Sequence, residues 1–178
     1  MSQVVRDPAN RAFYLPRLGP EFYRGDAAVL WTLRMAHGET GWLNEVLHLG
    51  FRELLLHACS RQCLVCPAYV LMPDHLHLIW LGCRVESDQR NGMAFLRRYL
   101  KSSLGLKLQH QAHDHVFKAE ERKRNAFANA CNYVLLNPVR AKLVEKVERW
   151  AFRGAIVPGF PSLCPGEVDF WRDVLEGL

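Results

Sequence analysis

The chain has 178 residues, of which 49% are hydrophobic, and it carries a formal net charge of +5. This length suits one domain with an ordinary core, and we predict a single domain over residues 1–178. No apolar run approaches the roughly 18 residues needed to cross a bilayer, and the N-terminus lacks the apolar stretch of a signal peptide, so we expect a cytoplasmic protein without a membrane partner. The positive charge favours a polyanionic partner.

The predicted elements alternate strands and helices along the chain. They are a basic, aromatic N-terminal arm (1–25), a strand (29–35), a helix (41–61), a hairpin of two strands (64–71 and 75–81), a mainly helical stretch (91–109), a short strand (115–117), a helix (125–137) and a Pro- and Gly-rich wrapping tail (150–178). This order predicts an α+β fold: a ferredoxin-like sandwich with a central antiparallel sheet, helices on one face and an extended C-terminal tail.

The strand predicted over residues 75–81 carries two histidines at strand spacing. Side chains alternate along a strand, so His75 and His77 project from the same side, about 6–7 Å apart along the backbone. Two imidazoles on one rigid strand can reach a single divalent cation. The alternative is that each ring is a core histidine satisfied by hydrogen bonds. We expect the preceding Asp74 to point to the other face, away from such a cation.

The helix predicted to end near residue 137 carries a second polar pair. Pro138 disfavours helical geometry at the residue before it, so the helix should end at about Asn137. Tyr133 lies one turn earlier on the same helix face, where its hydroxyl and the amide oxygen could act as attacking group and metal ligand. In the alternative interpretation, both residues are structural. The stripe predicted to pack consists of Phe127, Cys131, Val134 and Leu135.

The segments from Val70 to Trp80 and from Tyr133 to Ala141 together resemble the two motifs of the REP-associated tyrosine transposases, which are single-tyrosine HUH endonucleases. That family has a (V/A)-x-M-P-(N/D/E)-H-h-H-h-h strand, where h is apolar, and a Y-(I/V)-x-x-N-P-V-(R/K)-A helix end. Lys142 departs from the glycine that usually follows. The resemblance implies that the protein cuts and rejoins single-stranded, hairpin-forming DNA through a 5′-phosphotyrosine intermediate.

The resemblance also assigns roles to individual residues. It implies that Tyr133 is the nucleophile, and that His75, His77 and Asn137 hold Mg²⁺ or Mn²⁺. It makes His115 a candidate for holding a metal ligand in place or for contacting DNA. Because related enzymes occur as monomers or dimers, it leaves a homodimer open.

Basic residues near the two motifs are candidates for DNA contacts, because Lys and Arg neutralise phosphates. They are Arg97, Arg98, Lys101, Lys118, Arg124 and Arg140. For the charged run from Glu120 to Arg124, the alternative is a solvated face. The resemblance implies a partner of single-stranded or hairpin DNA, read in part by the N-terminal arm.

Cysteines raise the question of zinc, because Cys63 and Cys66 have CxxC spacing and Cys59 lies one helical turn before them. A structural zinc site needs a second ligand pair at comparable spacing, and the remaining cysteines are scattered singly. We therefore expect reduced and mostly buried thiols.

Two other classes of function remain open beside the transposase. One is a domesticated copy that binds hairpin DNA without cutting it. The other is a metal-dependent hydrolase in which Tyr133 is structural. A covalent protein–oligonucleotide adduct separates the three, because only the transposase forms one.

Overall fold

The computed structural model describes residues 17–118, 121 and 126–160. They form a five-stranded antiparallel sheet in the order β4-β1-β3-β2-β5. The strands are β1 (Ala28–Arg34), β2 (Leu64–Leu71), β3 (His75–Gly82), β4 (His113–Val116) and β5 (Arg153–Ile156). The helices are α1 (Glu45–Arg61), α2 (Gln89–Ser102), α3 (Ala126–Leu135) and the one-turn α4 (Asn137–Arg140). The predicted α+β class with a central antiparallel sheet is confirmed.

One face of the sheet, which we call the core face, is covered by α1 and α2. Apolar side chains at alternate positions of β1 and β3 point to this face, because successive side chains of a strand point to opposite sides. They meet the apolar stripes of the two helices in one cluster, whose largest fully buried members include Trp31, Trp80, Phe51 and Leu55. The Trp31 indole N–H donates to the buried Gln89 side chain at 3.1 Å, so its polar atom is satisfied within the core.

The opposite face, which we call the histidine face, carries α3. The apolar stripe predicted on this helix packs as expected: Cys131, Val134 and Leu135 meet β2 and β3 side chains in a second, smaller cluster with Phe127 at its margin. Trp150 also packs there and donates its indole N–H to the Leu71 carbonyl at 2.9 Å. The prediction that all helices lie on one face is therefore wrong for α3, because Ala68 and Val70 of β2 and Ile79 of β3 present apolar side chains to this face as well.

Several element boundaries differ from the predicted ones because of capping residues. The Asn44 side chain accepts a hydrogen bond from the Leu47 N–H at 2.9 Å, so α1 begins at Glu45 rather than at residue 41. The Asp88 carboxylate likewise accepts from the first N–H groups of α2 at 3.0 Å. That helix runs over Gln89–Ser102, earlier at both ends than predicted.

The predicted wrapping tail contains an unpredicted strand, β5, which pairs with β2 at the edge of the sheet. The remaining predicted tail, 161–178, and the first sixteen residues of the predicted arm lie outside the described residues. No helix within the described ranges is long and apolar enough to span a membrane.

The described cysteines are free thiols. Cys59, Cys66 and Cys131 are buried, and burial raises the pKa of each of these thiols. Cys63 is half-buried and Cys83 is exposed. Cys164 lies outside the described residues.

Candidate active site

The two histidines of β3 stand side by side on the histidine face. The His75 and His77 ring centroids are 4.7 Å apart, with an angle of 78° between the ring planes. The Nδ1 atom of His75 lies 2.7 Å from Asp74 Oδ1, and the Nδ1 atom of His77 lies 2.8 Å from Thr32 Oγ1. Both rings are therefore held through Nδ1, which leaves Nε2 of each ring to bind a cation.

Asp74 does not point to the other face, as alternation had suggested. It lies in the turn before β3, where strand alternation does not apply, and its carboxylate pairs with His75. The hydrogen bond from His75 is the largest cause of the lowered pKa of Asp74, which keeps this carboxylate charged. Asp74 is thus placed to orient the His75 ring, as carboxylates do for metal-binding histidines.

The environment of His77 favours a neutral ring. Burial, followed by the nearby His75 and Arg34, lowers the pKa of His77 to about 4. Arg34 lies opposite His75 on β1, one strand away. A metal-binding imidazole must be neutral, so His77 is in the ligand-competent state at neutral pH.

The junction of α3 and α4 presents Tyr133 and Asn137 together: α3 ends at Leu135, slightly earlier than predicted, and Asn137 begins α4. The Asn137 side-chain amide donates to the backbone carbonyls of Tyr133 at 2.9 Å and Val134 at 3.2 Å. These bonds use the amide nitrogen, so they fix the side chain with its Oδ1 atom still able to accept or coordinate. The Arg140 guanidinium lies 4.3 Å from the centre of the Tyr133 ring. Tyr133 itself is 43% exposed, which allows a substrate to reach its hydroxyl.

The tyrosine helix and the histidine pair share one face of the sheet. Val70 pairs with His77 in the β2–β3 register, and Ile79 is the next residue of β3 on the same side. Both apolar side chains belong to the same buried cluster as Val134, the neighbour of Tyr133 in α3. The packing that holds α3 on the sheet therefore brings the tyrosine helix to the histidine strand, although the two motifs are far apart in sequence.

The possible metal ligands on this face are neutral side chains. Across the described ranges, no three His, Cys, Asp or Glu side chains converge as a metal site, and this includes the CxxC pair. A cation between the histidines would therefore need a ligand of another type. An amide oxygen such as Asn137 Oδ1, or water, is a ligand of that type, and the two anchored imidazoles are compatible with such a cation.

His115, a candidate for supporting a metal ligand or contacting DNA, lies on β4 opposite Leu30. Leu30 in turn pairs with Ile79, so His115 is in register with Ile79 and not with His77. Its Nε2 atom is 3.6 Å from Glu121 Oε1, and its ring packs on Phe117. Thr32 of β1 pairs with His77 on one side and with His113 of β4 on the other. His113 is therefore in register with His77, and it is exposed. We did not predict His113, because only the strand register reveals it.

The predicted DNA-binding residues divide between the two sides of the sheet. Arg97, Arg98 and Lys101 lie on α2, which covers the core face. Arg97 donates to the Gln109 and His110 carbonyls at 2.6 and 2.9 Å, whereas Arg98 and Lys101 are exposed. Arg140 lies beside Tyr133, and Lys118 is exposed after β4. Arg124 lies outside the described residues.

The sequence matches no protein-family model and no curated protein. Among solved structures, the chain is similar to a REP-associated tyrosine transposase bound to a REP hairpin, with a TM-score of 0.64 and 19% sequence identity. The match covers 92% of this chain and 88% of that protein. At this identity the similarity concerns the fold. The chain thus has the fold of a REP-associated tyrosine transposase.

Proposed function

We propose that this protein is a transposase that cuts and rejoins single-stranded, hairpin-forming DNA, with Tyr133 as the nucleophile. The observation that carries the proposal is the packing of the tyrosine helix on the sheet face where His75 and His77 stand with both Nδ1 atoms anchored. The two sequence motifs and the similarity of fold to a hairpin-bound transposase support it. We extend that neighbour's partner, hairpin DNA, to this chain.

The reaction exchanges one phosphodiester for another. The Tyr133 hydroxyl loses its proton and its oxygen attacks the scissile phosphorus. The bond from phosphorus to the 3′-oxygen breaks, and that oxygen leaves as a free 3′-OH after taking a proton. The downstream strand stays on Tyr133 through its 5′-phosphate. A second 3′-OH can attack this linkage in the reverse direction, so rejoining needs no external energy source.

The residues around Tyr133 are suited to this chemistry. The Arg140 guanidinium over the ring would stabilise negative charge as the hydroxyl is deprotonated, and it would attract the phosphate. Mg²⁺ or Mn²⁺ held by His75, His77 and Asn137 would polarise the scissile phosphate. Asp74 and Thr32 would keep the two imidazoles in the ligating orientation.

A paired tyrosine substitution tests the proposal. Tyr133→Phe removes only the hydroxyl, so it should abolish cleavage of a 3′-labelled hairpin oligonucleotide with Mn²⁺ present, and leave hairpin affinity nearly unchanged. Tyr99→Phe, on α2 at the core face, is the matched control and should cleave like the wild type. Cleavage by Tyr133→Phe near the wild-type rate would overturn the assignment. Hairpin binding by the wild type without any cleavage would instead indicate a DNA-binding module.

Substrate preference provides a second test. The phosphate must be drawn between a helix and a sheet, which a flexible strand can do, whereas a duplex must first be unpaired at a cost of a few kcal/mol. We expect a hairpin with an unpaired extension to bind at least about tenfold, or about 1.4 kcal/mol, more tightly than the same sequence as a perfect duplex. General charge attraction alone would favour the duplex, with its denser phosphates.

A further inference from the structure

A cationic cleft lies on the α2 side of the sheet, away from the histidine face. It has a volume of about 720 Å³ and is lined by four arginines together with polar and small side chains. The arginines are Arg17, Arg24, Arg90 and Arg97. The lining comes from three segments that meet here: the chain around the 3₁₀ helix Pro20–Tyr23, α2 as far as Arg97, and the approach to β4 at residues 110–112.

Carboxylates neutralise only part of this charge. Asp88 pairs with Arg24 and Asp114 pairs with Arg17, each at 3.2 Å. Arg90 is exposed and lies over the Tyr23 ring at 6.0 Å, with no ion pair to a described carboxylate. The cleft therefore holds more guanidinium groups than carboxylates, which is the charge imbalance expected of a site for an anion.

Arg97 is the most informative of these arginines. Its Nη2 atom donates to two backbone carbonyls, whereas its Nη1 atom is buried and has no hydrogen-bond partner among the described residues. Burial, followed by Arg17, lowers the pKa of Arg97, so the guanidinium is held where its charge is poorly compensated. Arg97 is half-buried, and a partly desolvated cation without an acidic partner is stabilised when a ligand supplies the missing negative charge.

The cleft and the histidine face meet at the edge strand β4. The Asp114 side chain turns toward the cleft, where it contacts Arg17 and Tyr23. The side chains of His113 and His115, on either side of it in the strand, point to the histidine face. β4 is separated from β3 only by β1, so the edge lies two strand spacings, about 10 Å, from the His77 strand.

We propose that this arginine cleft binds backbone phosphates of an unpaired segment of the same DNA strand that is cut at Tyr133, after the strand passes over the β4 edge. This inference rests on the proposed function. The lining offers guanidinium groups but no Phe, Tyr or Trp ring among the described residues, so the contacts are to phosphates rather than to stacked bases. The site thus anchors the substrate on the side of the sheet opposite to the chemistry.

Arginine substitutions in the full chain test the site. Arg90→Gln removes an exposed cation that makes no ion pair to a described carboxylate, so folding should be unaffected. It should weaken binding of a hairpin with an unpaired extension by about 3- to 10-fold, and leave binding of the blunt hairpin unchanged. The slope of log affinity against log salt should fall by about 0.7 for each phosphate that the variant no longer neutralises. Arg84→Gln is the matched control, because Arg84 is exposed and does not line the cleft.

Arg97→Gln should weaken binding of the extended hairpin further. Arg97 also holds the segment before β4, so the folding of the Arg97→Gln variant is checked by circular dichroism. If that variant does not fold, Arg90→Gln alone decides the outcome. Unchanged affinity and salt slope in Arg90→Gln would overturn the inference. A titration with deoxyadenosine monophosphate distinguishes a DNA strand from a free nucleotide as the source of the phosphate. If the nucleotide binds as tightly as the extended hairpin, and Arg90→Gln abolishes that binding, the cleft is a free-nucleotide pocket and the strand site is overturned. The wild-type adduct at Tyr133 tests the proposed function separately.

Discussion

The two faces of the sheet differ in what their side chains do. The core face buries large aromatic and aliphatic side chains under two long helices, and Trp31 and Trp80 are fully enclosed. The histidine face has a smaller cluster under the shorter α3, and the same strand that supplies Ile79 to this cluster supplies His75 and His77. Because one strand contributes to both faces at alternate positions, neighbouring residues of β3 can serve stability and the proposed chemistry separately.

The largest expected effect is a loss of stability when a core-face residue of β3 is truncated, compared with truncation of its neighbour on the histidine face. Leu78 is fully buried on the core face, next to His77 in the chain. We expect Leu78→Ala to lower the free energy of unfolding by about 3–5 kcal/mol, because apolar burial is reduced and a cavity is left behind. His77→Ala should lower it by no more than about 1–2 kcal/mol. Urea denaturation measures both, and equal decreases would contradict the division of roles between the faces.

The next effect concerns cation binding on the histidine face. His75→Ala or His77→Ala should weaken Mn²⁺ binding by about 100-fold or more, equivalent to about 2.7 kcal/mol. Asn137→Ala should be milder, because water can replace a neutral oxygen ligand. His57→Ala is the control, since His57 lies exposed on α1, where it pairs with Glu53. Unaltered Mn²⁺ binding by calorimetry in the two site variants would place the cation elsewhere.

A pH effect is expected from the core side of the molecule. Burial, followed by Arg52, lowers the pKa of His48 to about 4. The unfolded chain therefore binds a proton that the folded chain resists, between the unfolded value near 6.5 and about 4. The contribution of His48 to stability should be almost complete at pH 7 and fall by about 1–2 kcal/mol on acidification to pH 5. His77, whose pKa is also lowered to about 4, should add a loss of its own in the same range. In His48→Gln, the free energies of unfolding at pH 7 and pH 5 should differ by less than they do in the wild type. An unchanged difference would show that other groups cause the decrease.

The smallest expected effect concerns the residue that orients His77. Thr32→Val keeps the shape of the side chain but removes the hydroxyl that contacts His77 Nδ1. Removal of such a supporting group typically weakens metal binding by about 10- to 100-fold, and we expect the lower end. Calorimetry with Mn²⁺ measures the affinity of this variant, and Thr40→Val, a change at an exposed loop residue, is the control. Equal affinity in the two variants would mean that Thr32 has no orienting role.

The features set by local pattern were predictable from the sequence. The β2–β3 hairpin and the packing stripe of α3 follow from apolar alternation and helical periodicity, and the structure has both. β5 was missed because its four residues lie within a Pro- and Gly-rich stretch, where pairing with β2 outweighs weak local preference.

Contacts between distant segments were not predictable. The Thr32–His77 bond and the position of His113 depend on the strand register, which one sequence does not reveal. The arginine cleft likewise needs three segments to meet. The position of Asp74 beside His75 follows from turn geometry rather than from strand alternation.

The covalent intermediate tests the central claim most directly. After incubation with Mn²⁺ and a hairpin oligonucleotide, trypsin should release residues 125–140 as one peptide, in which Tyr133 is the sole tyrosine. Mass spectrometry after nuclease trimming should find a 5′-linked nucleotide on Tyr133, with a free 3′-OH on the released fragment. Cleavage with that peptide unmodified, or a nucleotide on another tyrosine, would contradict the account that the histidine face and Tyr133 form one active site.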